Sequence, residues 1–249
     1  MDSGLYAACS GLMARTQAID IVANNLANLD TAGYKRETQF YEALTTAVQG
    51  ASGPARLGPL NSAVNQYGVL GGQSLVMSPG SLEQTGNPLD LALQGDGFFV
   101  VNSPQGLRYT RNGSFSVDST GHLVTSEGYS VMGAKGPITL PPGKVTVSND
   151  GTISVGDTLV GKLQVVQFPP NTHLTAESNA NFSAPAGAAQ PLTSAHIREG
   201  ALEGSNVNPV EEEVNLVTLQ RHSDFLTKAI KMFNTDMDGM AATDLPKVG

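Results

Sequence analysis

The sequence predicts an α+β fold, mainly β, with heptad-patterned helices at its two ends and a central domain of short antiparallel strands between them. Apolar residues recur at helical spacing near both termini, the mark of a helix with one packing face. The middle of the chain instead alternates short β-branched and aromatic runs with turn dipeptides. Composition agrees: 28 glycines and 14 prolines among 249 residues, with only 14% charged, suit many strands joined by tight turns.

The first helix is expected from Ser3 to about Asn28, started by Asp2 or Ser3 as a cap. Leu5, Leu12, Ile19 and Leu26 fall seven apart. Ala8, Val22 and Leu29 supply the position three residues on, and Arg15 interrupts it. Asp30-Thr31-Ala32-Gly33 ends the helix, with glycine suited to a left-handed stop. Residues 36–84 read as an extended linker, rich in Gly, Ser, Asn and Gln over most of their length.

Residues 85–202 form the expected β-domain. Its candidate strands are 98–102, 107–110, 115–117, 122–125, 130–132, 145–148, 152–155 and 162–168. Asn112-Gly113, Thr120-Gly121, Asp150-Gly151 and Gly156-Asp157 separate them. Residues 169–200 fall back to Pro, Ala, Ser and Asn and are expected to be loop-rich. The last helix begins at Asn208-Pro209-Val210-Glu211, an N-cap with proline at the first helical position and a glutamate placed for a capping box. Leu216, Ile230 and Met237 share one heptad position with Ser223 as its polar exception, and Leu219, Leu226, Phe233 and Met240 fill the other. Residues 1–35 and 203–249 together make the predicted helical coiled-coil domain.

A net charge of −8, with 14 Lys and Arg spread thinly, argues against nucleic-acid binding. The single cysteine, Cys9, excludes an intramolecular disulfide and reads as a buried small hydrophobe. No run of about 18 apolar residues is present to span a membrane, and no ordinary secretory signal opens the chain. His122, His173, His196 and His222 lack metal-ligand spacing, the serines lack a nucleophile elbow, and Gly95-Asp96-Gly97 lacks a following phosphate-binding motif. No catalytic, metal or cofactor-binding residues and no small-molecule substrate are therefore expected.

An isolated helix of about 25 to 30 residues is marginal in water, because helical stability comes largely from packing an apolar face. Each terminal stripe must meet the other or another copy of the chain. Contact between unlike faces of successive copies is heterologous and grows an open filament. From the heptads alone, intramolecular and inter-subunit cores remain equally open.

Asn24-Asn25-Leu26-Ala27-Asn28, with Thr31, Gly33, Tyr34 and Lys35, resembles the N-terminal signature of flagellar rod and hook proteins. Gly86-Asn87-Pro88-Leu89-Asp90-Leu91-Ala92-Leu93 and Gly95-Asp96-Gly97-Phe98-Phe99 are similar to the entry of their β-domain. Tyr109-Thr110-Arg111-Asn112-Gly113-Ser114-Phe115 and Gly121-His122-Leu123-Val124-Thr125 continue the likeness. Leu202-Glu203-Gly204-Ser205-Asn206-Val207 and Gln220-Arg221 resemble the C-terminal signature. The chain thus resembles the flagellar basal-body rod protein family, and its opening and close are similar to the proximal rod type, with the distal type the alternative.

The resemblance implies a structural, non-enzymatic subunit that polymerises through its terminal helices with copies of itself and other rod subunits. It implies passage through the flagellar export apparatus without a cleaved signal peptide, and a working place in the periplasmic rod. Subunit-interface residues are then expected at Leu5, Leu12, Ile19, Asn24, Asn25, Leu26 and Asn28 in the first helix. The last helix would contribute Leu216, Leu219, Arg221, Leu226, Ile230 and Phe233, with Arg221 pairing an acidic group on a neighbouring helix. Another flagellar axial protein, or a secreted cell-wall-binding module, is the alternative.

Overall fold

The computed structural model describes residues 2–42, 69–170, 172–177, 180–192 and 194–244. Two helices, one at each end of the chain, pack together and flank a central domain of short antiparallel strands. The described residues fall into two compact units, one holding both helices and the other holding most of the strands.

In the helical unit, α1 (Asp2–Ala27) and α2 (Pro209–Asp244) pack antiparallel. Later residues of α1 meet earlier residues of α2, with Ala18 and Val22 against Leu219, and Ile19, Leu26 and Leu216 at the edges. Further along, Gly11 lies beside Leu226. The cap of α2 is the expected one: Asn208 Oδ1 accepts from the amides of Val210 at 3.1 Å and Glu211 at 3.4 Å. At the far end of the predicted heptads, residues 245–249 and the side chains of Leu5, Ala8, Phe233, Met237 and Met240 lie outside the described residues.

Cys9 is exposed, not buried. Nine residues separate it from fully buried Ala18, which is 900° along a helix, or half a turn away from the packed face. The packed face of α1 is carried by alanines and by Ile21 and Val22, so the large-residue heptad read from sequence lies to one side of it. Within residues 36–84, read as a linker, strands Glu37–Glu42 and Val69–Leu75 pair with each other, and Leu82–Gln84 is a third strand. Residues 43–68 lie outside the described residues.

In the β unit, strand Phe98–Ser103 is the centre of the largest sheet and is buried on both faces. Phe99 and Val101 enter one core with Leu91, Phe115, Leu123 and Ile153. Phe98 and Val100, one step out of phase, enter a second core with Val166 and Phe182. Edge-to-face rings lock each side, with Phe99–Phe115 centroids at 5.2 Å and Phe98–Phe182 at 5.6 Å. Strand Gly106–Thr110 folds back on Phe98–Ser103, while Val165–Gln167 and Ser130–Gly133 pair its other edge.

All eight candidate strand regions contain strands, and the Asp150-Gly151 and Gly156-Asp157 turns both use positive-φ glycine. Strand Thr158–Lys162, which lies outside the expected strands except for Lys162, pairs with Thr152–Val155 in a hairpin. The stretch 169–200 holds Thr175–Ala176, Asn181–Ser183, Gln190–Pro191 and His196–Glu199. These short pieces are held by ladder pairing with strands elsewhere, a property that composition does not carry. Strand His196–Glu199 pairs with Leu91–Gln94, and Ala201–Glu203 with Leu82–Gln84, so the chain leaves the unit alongside the arm by which it enters.

Gly113 is required by a close backbone approach, since a Cβ there would collide with the carbonyl of Leu91, whose amide donates to Gly113 O at 3.0 Å. Gly113→Ala is expected to cost about 1–3 kcal/mol, the range for forced backbone displacement in a packed core. Urea unfolding of the two proteins measures it, and equal midpoints would contradict this packing.

Candidate functional site

The signature segments meet in the β unit around one carboxylate. Glu203 is 1% exposed and ends strand Ala201–Glu203, whose pairing with Leu82–Gln84 aims its side chain inward. Its Oε1 accepts from Lys35 Nζ at 2.6 Å and from the Gly80 amide at 3.0 Å. Its Oε2 takes Arg111 Nη1 at 3.2 Å. Its backbone carbonyl accepts from Gly33 N at 2.7 Å. One residue therefore binds the segments at 33–35, 80 and 111.

The cations are as buried as the anion. Lys35, 1% exposed, donates a second bond to Ser78 O at 2.9 Å. Arg111 donates through Nη2 to Gly95 O at 2.7 Å and lies over the Phe98 ring, 5.3 Å from its centroid. Its Nε is the one buried side-chain nitrogen or oxygen among the described residues without a hydrogen-bond partner. Asn206 extends the knot: its Oδ1 accepts from Arg36 N at 2.7 Å, and its Nδ2 donates to Val76 O and Ser78 O. Gly33, at φ 70°, has no room for a Cβ against the backbone of Arg111 and Asn112. Side chains therefore staple together the stretch that follows α1 and the stretch that precedes α2.

The site residues expected from sequence distribute as follows. Ile19, Leu26, Leu216 and Leu219 come together in the seam between the helices, Leu226 lies beside Gly11, and Leu12 and Ile230 are half-buried. Asn25 is buried and makes a two-point clasp, Nδ2 to Glu37 O at 2.9 Å and Glu37 N to its Oδ1 at 3.0 Å, tying α1 to the first strand. Asn28 works at the helix end, where its Oδ1 accepts from Thr31 Oγ1 at 3.0 Å. Asn24 and Arg221 are exposed. Nothing is described of the Leu5 and Phe233 side chains.

Lys35, named above only as part of the N-terminal signature, is buried in the ion cluster. Arg111 and Glu203 stood only within the resemblance signatures, with no role of their own. A usable signal existed, because in a chain this poor in charge each of three signature segments carries one charged residue of fitting sign. Asp118 and Asp150 serve turns: Asp118 Oδ1 accepts from the Thr120 and His122 amides, and Asp150 holds Thr152. Among the described residues no group of three or more His, Cys, Asp or Glu side chains is placed to hold a metal ion.

Burial outweighs the hydrogen bond and ion pair with Glu203 and, helped slightly by the nearby Arg111 charge, holds Lys35 below its ordinary 10.5. The unfolded chain then binds more protons than the folded one in the window below 10.5, and stability from this group rises with pH there. Glu203→Gln, which leaves two buried cations without their anion, is expected to cost about 3–5 kcal/mol. Lys35→Met removes the pH-linked contribution, so the stability of wild type relative to this variant should grow as pH rises towards 10.5. Urea titrations at successive pH values measure both; a wild-type advantage that shrinks with pH would contradict the sign.

The geometry is that of a structural joint, and comparison with known proteins agrees. Residues 5–35 match the flagella basal body rod protein family, 92–155 the flagellar hook protein FlgE/F/G D1 domain, and 198–242 the flagellar basal body rod FlgEFG protein C-terminal family. A flagellar basal-body rod protein FlgF of Caulobacter vibrioides is 37% identical, covering 92% of each chain. A protein of the same name from Mesorhizobium japonicum is 34% identical over 89% of each. The flagellar basal-body rod protein FlgG of Borreliella burgdorferi is 32% identical over 93% of this chain and 94% of its own. The three matched segments contain Lys35, Arg111 and Glu203 respectively, so the buried knot is built from all three. The chain belongs to the flagellar basal-body rod protein family, a family of structural subunits and not of enzymes, and within it is FlgF-like.

Proposed function

We propose that the chain is a subunit of the proximal rod, assembling through the outer faces of its two helices with copies of itself and neighbouring rod subunits into the axial drive shaft of motility. The observation that carries this is a second apolar stripe on α2. Val210, Val214, Val217, Phe225 and Met232 recur at intervals that keep to one helix face, and all are exposed, Phe225 by 70% and Met232 by 62%. Val214 lies two residues, about 200° around the helix, from buried Glu212 and from partly buried Leu216. The stripe therefore faces away from α1. A helix apolar on both sides is built to be covered on both.

Magnitudes favour assembly with several neighbours over a simple dimer. Burying five such side chains is worth on the order of 10 kcal/mol at about 1.5–3 each. Association costs roughly 4–15 kcal/mol in lost freedom and ordering. One contact is marginal, and a subunit touching several neighbours is held firmly. In this reading Ile19, Leu26, Leu216 and Leu219 act on assembly by keeping the helices together, while Asn24 and Arg221 face the neighbours.

Family membership supports delivery by the flagellar export apparatus and a periplasmic place for the finished rod. The likeness to FlgF proteins favours the proximal position, and the likeness to a FlgG protein keeps the distal position as the second reading. Electron cryotomography of basal bodies in a strain lacking the gene separates them. Assembly stalled near the inner membrane supports the proximal reading; a longer stub without a hook supports the distal one. Normal rods would overturn both.

Phe225→Asp and Val214→Asp are expected to leave urea stability within about 0.5 kcal/mol, as solvent-facing changes do. Both should abolish swimming in soft agar, because each would bury an unpaired charge at the subunit contact. Full swimming by a stably expressed variant would contradict the proposed surface.

A further inference from the structure

The outer face of α1 has the same spacing as that of α2, read in the opposite direction. Cys9, Met13, Thr16, Asp20, Ala23 and Ala27 are all exposed and follow one another at steps of four and three. On α2, taken backwards from Met232, the exposed residues Lys228, Phe225, Arg221, Thr218 and Val214 follow at the same steps. Small side chains predominate on the first stripe and large ones on the second. The only charge on the α1 stripe is acidic Asp20, whereas the α2 stripe carries basic Arg221 and Lys228.

Resting on the assembly reading above, we infer that a second copy of this chain covers the α2 stripe with its α1 stripe, in one antiparallel register fixed by Asp20 against Arg221. Subunits related by rotation and translation along an axis keep their direction along it, so α2 of one copy runs antiparallel to α1 of the next, as within a chain. With Asp20 opposite Arg221, Cys9 faces Met232, Thr16 faces Phe225 and Ala27 faces Val214. Each large group meets a small or flexible one, the complementarity that lets helices approach closely. Sliding by one heptad to place Asp20 against Lys228 sets Arg221 on Ala27 and carries Val214 past the end of α1. Because the two faces differ, the contact is heterologous, and each copy offers one of each.

The native cysteine makes the register directly testable. Basal bodies isolated from cells expressing Met232→Cys are oxidised mildly and resolved without reductant. Links between Cys9 of one copy and the new cysteine of the next should give dimers and a ladder of higher multimers. Wild type, the double variant Cys9→Ser/Met232→Cys, and Phe225→Cys, which lies two helical turns out of register, should give none. Ala27→Cys/Val214→Cys in a Cys9→Ser background probes the other end of the stripe and gives the same ladder. Incorporated variants that swim but form no ladder at either end, or that link as well through Phe225→Cys, overturn the register and leave the rod reading intact. Absence of the wild-type chain from basal bodies would instead overturn the rod reading on which the inference rests.

Discussion

The carboxylate of Glu203 is the constraint on which the β unit depends. It lies in the interior, accepts Lys35 on one oxygen and Arg111 on the other, and takes the Gly80 amide as well. Buried ion pairs are poor sources of net stability, because desolvation offsets much of the attraction. Their value lies in what they exclude. Any arrangement that separates residues 33–36 from 203–206 leaves charges in a low-dielectric interior, so alternative packings of these segments are strongly disfavoured. The two glycines at the joint, Gly33 and Gly80, admit no side chain, so backbone approach and charge pairing impose the same geometry.

That joint lies where the chain has just left one terminal helix and where it is about to enter the other. The helices themselves are held by modest means, a seam of alanine, valine and leucine. The outer side of α2 exposes five large apolar side chains interleaved with Arg221 and Lys228, a surface suited to a subunit surrounded by its like. Family membership gives this bifacial character its setting in the flagellar rod.

Much of the fold was legible because it is written in local chemistry. The Asn208-Pro209 start of α2 and the Asp-Gly and Gly-Asp turns of the hairpins follow from capping and positive φ. Strand Phe98–Ser103 was visible as an apolar aromatic run, although its burial on both faces was not. Strand Val69–Leu75 and those within 169–200 escaped, since Gly-, Ser- and Pro-rich segments become strands only when a partner supplies the ladder. On α1 the large heptad residues drew attention, while small ones at Ala14 and Ala18 carry the burial. The knot was least legible: Lys35, Arg111 and Glu203 are far apart along the chain, and a charged residue is ordinarily solvated.

Native-state hydrogen exchange of the amides of Gly33 and Gly80 tests the dependence on Glu203 most directly, since each donates to that residue, Gly33 at 2.7 Å and Gly80 at 3.0 Å. Both amides should exchange only with global opening of the β unit, alongside Val101 in the central strand. Exchange at either glycine through a low-energy local opening, with Val101 still fully protected, would show that the unit holds together without the knot.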